Sequence, residues 1–343
     1  LNIGKFPPNL LERLLAKAAI NDPRVIMGPK VGEDAAIIDM GERLLVAKSD
    51  PITFATDLIG WYAVQVNAND VACAGGTPKW FLATLLVPES FLEAQAEAVF
   101  DQVLEACNAL NIALIGGHSE VTYGINRPII LGSMLGEVER DRLVHTGGAQ
   151  EGDSIVLTKG IAIEGTALLS RDCADALKRA GVDQKIIRQA ATFLSYSGIS
   201  VVKDAGIACN AVRVHSLHDP TEGGLITGLR EVARASGLGL AVEEGSIPVL
   251  PECQAICQAL GLDPLGLLAS GALLITLPSG DVPTLLAALE QGGISGWEIG
   301  QMIASEEGLL MIGYEGEVPL PEFPSDELAR YFSAAEGRTT KDE

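Results

Sequence analysis

The sequence predicts an α+β protein of two domains, and three observations carry that reading. The chain has 343 residues, whereas a single hydrophobic core stops growing beyond roughly 250–300 residues. Strand and helix patterns mix through both halves without a strict βαβ repeat. A sandwich or half-barrel therefore fits better than a doubly wound sheet. Near Gly147-Gly148-Ala149-Gln150-Glu151-Gly152 the pattern resets. This places an N-terminal domain over 1–148 and a C-terminal domain over 149–335, with a polar tail over 336–343 expected to be disordered.

Leu10 to Ile20 has helical periodicity, with Asn9 placed to cap it after Pro7-Pro8. Ala35–Asp39 and Arg43–Lys48 read as strands around the turn Met40-Gly41-Glu42. Trp61 to Ala74 reads as a long helix of small residues, stopped by Gly75-Gly76-Thr77-Pro78. Trp80–Val87 is an apolar strand, Glu89 to Asn111 a helix, and Ile112–Ile115 a strand that runs into a turn at Gly116-Gly117. Pro128–Val138 is another strand. In the second half, Ser154–Thr158 is a strand followed by Gly160, Gly165 and a helix, and the alternation continues to about residue 315.

Composition narrows the function. Hydrophobic residues make up 48% and charged residues 20%, the balance of a folded protein with ample core. Acids outnumber bases by 45 to 24, a net charge of −21. Such a field repels nucleic acid and anionic membrane surfaces. Most of these carboxylates read as solvated surface. No apolar run is long enough to span a bilayer, and no secretory signal is visible. The six cysteines form no C-x-x-C pair and read as buried, reduced thiols. The expectation is a soluble, cytoplasmic protein.

Five segments carry candidate chemistry. Gly32-Glu33-Asp34-Ala35-Ala36 feeds a strand, so Asp34 sits at a strand mouth. Ser49-Asp50 ends a neighbouring strand. Asn69 and Asp70 lie inside a buried helix, where polar groups need partners or cost a few kcal/mol each. Gly116-Gly117-His118 follows a strand, and its glycines let backbone N–H groups approach a ligand. In His218-Asp219-Pro220-Thr221-Glu222-Gly223-Gly224, Asp219 reads as the cap and Pro220 as the first residue of a helix whose N-terminus favours a phosphate. Each segment alone has a structural reading: an acidic turn, a hydrogen-bond network, a strand end, a helix cap. Together they suggest a shared site for a triphosphate and an oxygen-ligated metal such as magnesium. Neither a Walker A loop nor G-x-G-x-x-G is present.

In this order and spacing, these segments resemble the aminoimidazole ribonucleotide (AIR) synthase superfamily, the PurM-like fold. The group includes HypE, thiamine-monophosphate kinase and selenophosphate synthetase. Gly32–Ala36 resembles its G-[DE]-D-A-A, Asn69–Pro78 its N-D-x-x-x-x-G-x-x-P and His218–Gly224 its H-D-P-T-x-G-G. Leu262-Asp263-Pro264-Leu265 resembles the L-D-P-L of HypE, the group to which the likeness is greatest.

The resemblance implies an N-terminal domain that forms a β-barrel-like homodimer interface and a C-terminal α/β sandwich, with ATP bound. It implies that Asp34, Asp50 and Asp70 hold magnesium. Lys5, Lys48, Asn69, Gly116, Gly117, Thr221, Gly223 and Gly224 are then candidates for nucleotide or substrate contact. His118, His218 and Asp219 are the candidates for catalysis. Three positions depart from the family. Lys48 and Ser49 precede the strand-end acid where HypE-like chains have Thr. His118 stands where an acid usually follows the glycines. No cysteine follows Cys257, so cyanide-ligand synthesis in the HypE manner is not expected, and none in the N-terminal segment suits selenophosphate chemistry. The leading expectation is an ATP-dependent enzyme that activates an amide-type or phosphate oxygen of a small molecule. The alternatives are a nucleotide-binding maturation or scaffold protein that serves a partner protein without turnover, and thiamine-monophosphate kinase.

Overall fold

The computed structural model describes residues 6–30, 32–53, 57–196 and 198–339. They fall into two compact units, Pro7–Val144 and His145 onward. The chain is an α+β protein of two domains.

The first unit runs α1 (Pro8–Leu15), β1 (Val25–Met27), β2 (Ala36–Asp39), β3 (Leu44–Ile52), α2 (Ile59–Cys73), β4 (Thr77–Val87), α3 (Glu93–Ala109), β5 (Ala113–Val121) and β6 (Ile129–Val138). One six-stranded sheet results, in the order β1-β2-β3-β6-β4-β5. β4 and β5 pair in parallel, which requires a crossover, and α3 supplies it. Two expectations are corrected here. α1 starts at Pro8 with Pro7 as its cap, in place of Asn9, because proline suits the first turn, where its missing N–H costs nothing. The glycines Gly116 and Gly117 do not form a turn. β5 continues through them to Val121, with φ of +152° and +150°, a backbone that excludes most side chains.

α2 organises this unit. All of its residues except Trp61 and Val66 are buried. It lies across β3, β6 and β4, with α3 beside it. The helix descends onto β6 where that strand has no side chains. A Cβ on Gly132 would strike Asn67, and one on Gly136 would strike Val71. The two-residue period of β6 then turns Leu131 and Leu135 to the other face of the sheet. Across the ladder they neighbour Thr84 and Trp80, and through β3 they neighbour Pro51 and Ala47. This second face is largely apolar and partly exposed.

The second unit runs β7 (Asp153–Thr158), α4 (Ile163–Asp172), α5 (Ala174–Arg179), α6 (Gln184–Ala191), α7 (Phe193–Tyr196), α8 (Val202–Ala211), β8 (Ser216–His218), α9 (Gly224–Ser236), β9 (Gly239–Glu243), α10 (Pro251–Leu260), β10 (Leu274–Pro278), α11 (Val282–Gln291), β11 (Gly296–Ile303), β12 (Leu309–Gly313), β13 (Gly316–Pro319) and α12 (Glu327–Thr339). Its sheet has the order β13-β12-β9-β11-β7-β10-β8. β7 is buried along its whole length, and Leu225, Leu229, Ile256 and Leu169 of the helices share one core with Ile155 and Leu157 of that strand. Here too the structure corrects the sequence. α4 begins at Ile163, so Gly165 lies within it and does not precede it. α12 continues past Glu336 to Thr339, into the segment expected to be disordered. Among the described residues, no helix is long and apolar enough to cross a membrane.

Two glycines predict opposite outcomes. Gly136→Ala drives a methyl into Val71 and the Thr77 carbonyl and should cost about 1–3 kcal/mol of stability. Gly206 lies inside α8 with open space around it, so Gly206→Ala should add about 0.5–1 kcal/mol. Urea unfolding of both variants checks the pair. Equal effects would contradict the close packing of α2 on β6.

Candidate functional site

Alternation on β3 turns Leu44, Val46, Lys48, Asp50 and Ile52 to the face that carries α2. Two of these five are charged. From α2, Asp70 meets them. The Lys48 Nζ lies 3.2 Å from Asp70 Oδ2 and 3.5 Å from Asp50 Oδ2. Burial pulls the Lys48 ammonium down in pKa, but Asp70, Asp50 and Asp34 outweigh it and hold the value above the ordinary lysine range. Lys48 therefore stays charged inside the fold. Asp70 is almost fully buried, while the Asp50 side chain is 41% exposed and has room to turn.

The backbone at Asp50 is pinned by Asn67. The Asp50 N–H donates to Asn67 Oδ1 at 2.9 Å, and the Asn67 amide donates to the Ala63 carbonyl at 2.9 Å and the Asp50 carbonyl at 3.3 Å. Gly132 leaves the space for that amide. Sequence reasoning placed Asn67 in the motif without giving it a role. Its signal was a buried polar residue beside Asn69 and Asp70 in a mostly apolar helix.

Asp34, Asp50 and Asp70 bracket the lysine, and among the described residues they do not close into one cation-sized cluster. Magnesium keeps several waters and phosphate oxygens as ligands and takes only one or two carboxylates from a protein. All-oxygen donors, one of them partly exposed, fit that demand. Asn69 is fully buried on the same helix.

His118 is not brought to this cluster. It sits on β5, with β4 and β6 between it and β3, about 14 Å away by strand spacing. Its side chain is exposed and bonds Glu120 Oε2 at 3.2 Å. Gly116 and Gly117 line, with Val99, Phe100 and Val103 of α3, an apolar groove of about 360 Å³. Lys5 lies outside the described residues.

The second unit holds the remaining candidates. His218 ends β8, and its Nε2 lies 2.9 Å from Glu231 Oε2 on α9. Asp219 is buried beside it. The loop then turns with Gly223 and Gly224 at φ of +81° and +69°, and α9 starts only at Gly224. Asp219 and Pro220 are thus not its cap and first residue, a correction of the sequence reading. Nor are the glycine N–H groups open to phosphate. Gly223 donates to Asp326 Oδ2 at 2.7 Å and Gly224 to the Thr221 carbonyl at 3.1 Å. A Cβ on Gly224 would strike the Leu265 carbonyl, so the loop lies directly on the Leu262–Leu265 segment.

Buried acids surround this loop. Burial lifts Glu164 to about 7, against a hydrogen bond from Ser270 and with Glu222 and Asp326 adding to the rise. Burial also lifts Asp326 to about 6, although backbone N–H groups of Gly223 and Leu328 oppose it. Sequence reasoning missed Glu231, Glu164 and Asp326. Only their placement in space links them to the loop.

Fold and site together define a two-domain PurM-like protein that sets a charged lysine–carboxylate cluster on a buried helix in one unit. In the other it sets a glycine loop tied by carboxylates. The chain belongs to the AIR synthase related protein family, whose N-terminal domain model matches residues 32–138 and whose C-terminal domain model matches 150–312. It is 31% identical to a hydrogenase expression/formation protein of Methanocaldococcus jannaschii over 84% of this chain and 84% of that one. It is 30% identical to the carbamoyl dehydratase HypE of Cupriavidus necator, over 83% and 79% of the two chains. The crystal structure of the hydrogenase maturation protein HypE in complex with ATP superposes with a TM-score of 0.70 at 23% identity, covering 93% of this chain and 91% of that one.

The Glu164 carboxyl predicts a pH dependence of stability. Its folded pKa lies near 7, above the ordinary 4.5. The penalty for holding it ionised is absent below the ordinary value and grows as pH rises toward the folded one. Glu164→Gln removes that penalty. The stability gained by the variant over wild type should therefore be about 2 kcal/mol larger at pH 8 than at pH 5. Urea unfolding at the two pH values measures it, and a pH-independent difference would contradict the assignment.

Proposed function

We propose that the protein is an ATP- and magnesium-dependent enzyme that activates an amide-type or phosphate oxygen of a small molecule by phosphoryl transfer. The observation that carries this reading is the Lys48 ammonium held charged among Asp70, Asp50 and Asp34. A lysine largely withdrawn from water and still charged can bind a phosphate oxygen. The acids around it are oxygen donors for magnesium, which would neutralise charge on a transferring phosphoryl group when bound. The relative named carbamoyl dehydratase supports an amide-type oxygen, and the ATP complex of a HypE of the same fold supports ATP.

Within this reading, Asp70 is the fixed member and Asp50 the adjustable one. Asn67 keeps the Asp50 backbone in place while its carboxylate turns. Lys48 would pass from its carboxylate partners to a phosphate oxygen. His218 is the better placed of the two histidines for moving a proton, because Glu231 fixes its ring. His118, on an exposed edge strand, has no such support beyond Glu120.

A second reading keeps the nucleotide and drops turnover: a maturation protein that serves a partner. The relative named for hydrogenase formation favours it, as does the distance of His118 from the cluster. The apolar second face of the first unit's sheet supports a homodimer in either case.

Calorimetric titration with a non-hydrolysable ATP analogue, with and without magnesium, tests the site. Wild type should bind in a magnesium-dependent way, and Asp50→Asn should weaken that binding about tenfold or more. Asp50→Asn leaves Lys48 its nearer partner Asp70 at 3.2 Å, so the variant should stay folded at the titration temperature, with a loss of stability that urea unfolding reads. Equal binding by Asp50→Asn and wild type would remove Asp50 from the metal site, and no binding at millimolar analogue would remove the nucleotide.

A further inference from the structure

The segment from Leu320 to Arg330 has no part in the chemistry above, yet it is tied down at every few residues. Arg230 of α9 donates to the Leu320 carbonyl at 2.7 Å and the Pro321 carbonyl at 3.1 Å. The Phe323 ring lies where a Cβ on Gly266 would stand. Asp326 accepts the Gly223 N–H on Oδ2 and the Leu328 N–H on Oδ1, both at 2.7 Å. Glu327 accepts the Asp263 N–H at 2.9 Å and bonds Arg330, which donates in turn to the Gly261 carbonyl at 2.9 Å.

Two consecutive carboxylates thus hold two different loops. Asp326 holds the loop His218–Gly224, and Glu327 holds the segment that begins at Asp263. Those loops also touch each other directly, through the Ala269 N–H to the Thr221 carbonyl at 3.2 Å and through the backbone under Gly224. Without Asp326, the Gly223 N–H would lose its acceptor next to two glycine residues in the left-handed region. Such a turn has little conformational preference of its own, and an orphaned N–H favours rearrangement.

We propose that the segment Leu320–Arg330 is a positioning strap for the His218–Gly224 loop, and that Asp326 is the positioning residue through which it acts. The proposal rests on the reading that this loop carries functional side chains. Asp326 touches no reacting atom. It sets the turn that follows Thr221, and so the stretch of chain between His218 and α9.

The full-length protein tests this with Asp326→Ala and Asp326→Asn, the latter keeping a carbonyl oxygen to accept an N–H. Amide hydrogen exchange is measured first. In Asp326→Ala, exchange across 219–228 should rise about tenfold or more while the β7 core stays protected, and Asp326→Asn should restore most of the protection. Magnesium-dependent ATP hydrolysis is measured next. In Asp326→Ala, kcat should fall about tenfold with KM for ATP within about twofold, and Asp326→Asn should recover to within about threefold of wild type. Unchanged exchange at 219–228 in Asp326→Ala overturns the strap whatever the nucleotide result. Equal losses in kcat and melting temperature that Asp326→Asn does not rescue also overturn it, since they describe a purely structural residue. Wild type that neither binds nor hydrolyses ATP defeats the functional reading, and the exchange data then decide the strap alone.

Discussion

One buried cation governs the first unit. A lysine on the core face of a strand would ordinarily lose its charge or its place, because removing an ammonium from water costs several kcal/mol. Lys48 keeps both because α2 presents Asp70 and β3 presents Asp50, with Asp34 near enough to add to the field. Each condition constrains something else. Asp70 must sit on a helix close enough to β3, which requires glycine at 132 and 136 beneath α2. Asp50 must not drift, which requires Asn67 to hold its backbone. The small residues of α2 follow from the same demand, since a helix buried on nearly every side cannot carry bulk toward a sheet at that distance.

Much of this was legible before any coordinates. The strands around Met40–Glu42, the small-residue helix and its glycine stop were read from periodicity and turn chemistry alone. They depend on neighbours within a few residues. The acids Asp34, Asp50 and Asp70 stood out because carboxylates at strand ends and inside a buried helix break the local pattern. What failed was of another kind. Gly116-Gly117 reads locally as a turn, yet β4 pairs with β5 on both sides of a bulge at Ile115, from Ala113 to Val121, and ladder hydrogen bonds override the local preference. Pro220 reads locally as a helix start, yet the chain needs three further residues, the last of them left-handed Gly223, before α9 begins. Asp326 carried no signal because it meets the loop from a segment remote in sequence, and Glu231 because it reaches His218 only once α9 packs back beside β8.

The second unit shows a different use of charge. In the first unit acids surround a cation. Here Glu164 and Asp326 gather beside Glu222, whose charge raises both. Burial and mutual repulsion make that costly, and backbone N–H groups and a serine hydroxyl offset it only in part. Such a cost persists where it maintains a shape that apolar side chains cannot. An apolar residue at 326 could fill the space beside Gly223, but it could not accept the Gly223 N–H.

The two arrangements fit the overall acidity of the chain. With a net charge of −21, the protein repels a triphosphate at long range, so the proposed nucleotide must be paired with a cation before or as it arrives. A single lysine could not do this alone, since its charge is already spread over three carboxylates. Magnesium, when bound, would supply two positive charges and take one or two of the carboxylates, which would leave the ammonium for a phosphate oxygen. The lysine and the metal ion are therefore not rivals for one role. The acids hold Lys48 in the fold, and the same acids would be the oxygen donors for the proposed metal. On the proposed reading, such a site would favour the magnesium–nucleotide complex over either component alone, because each component by itself would leave one set of charges unbalanced.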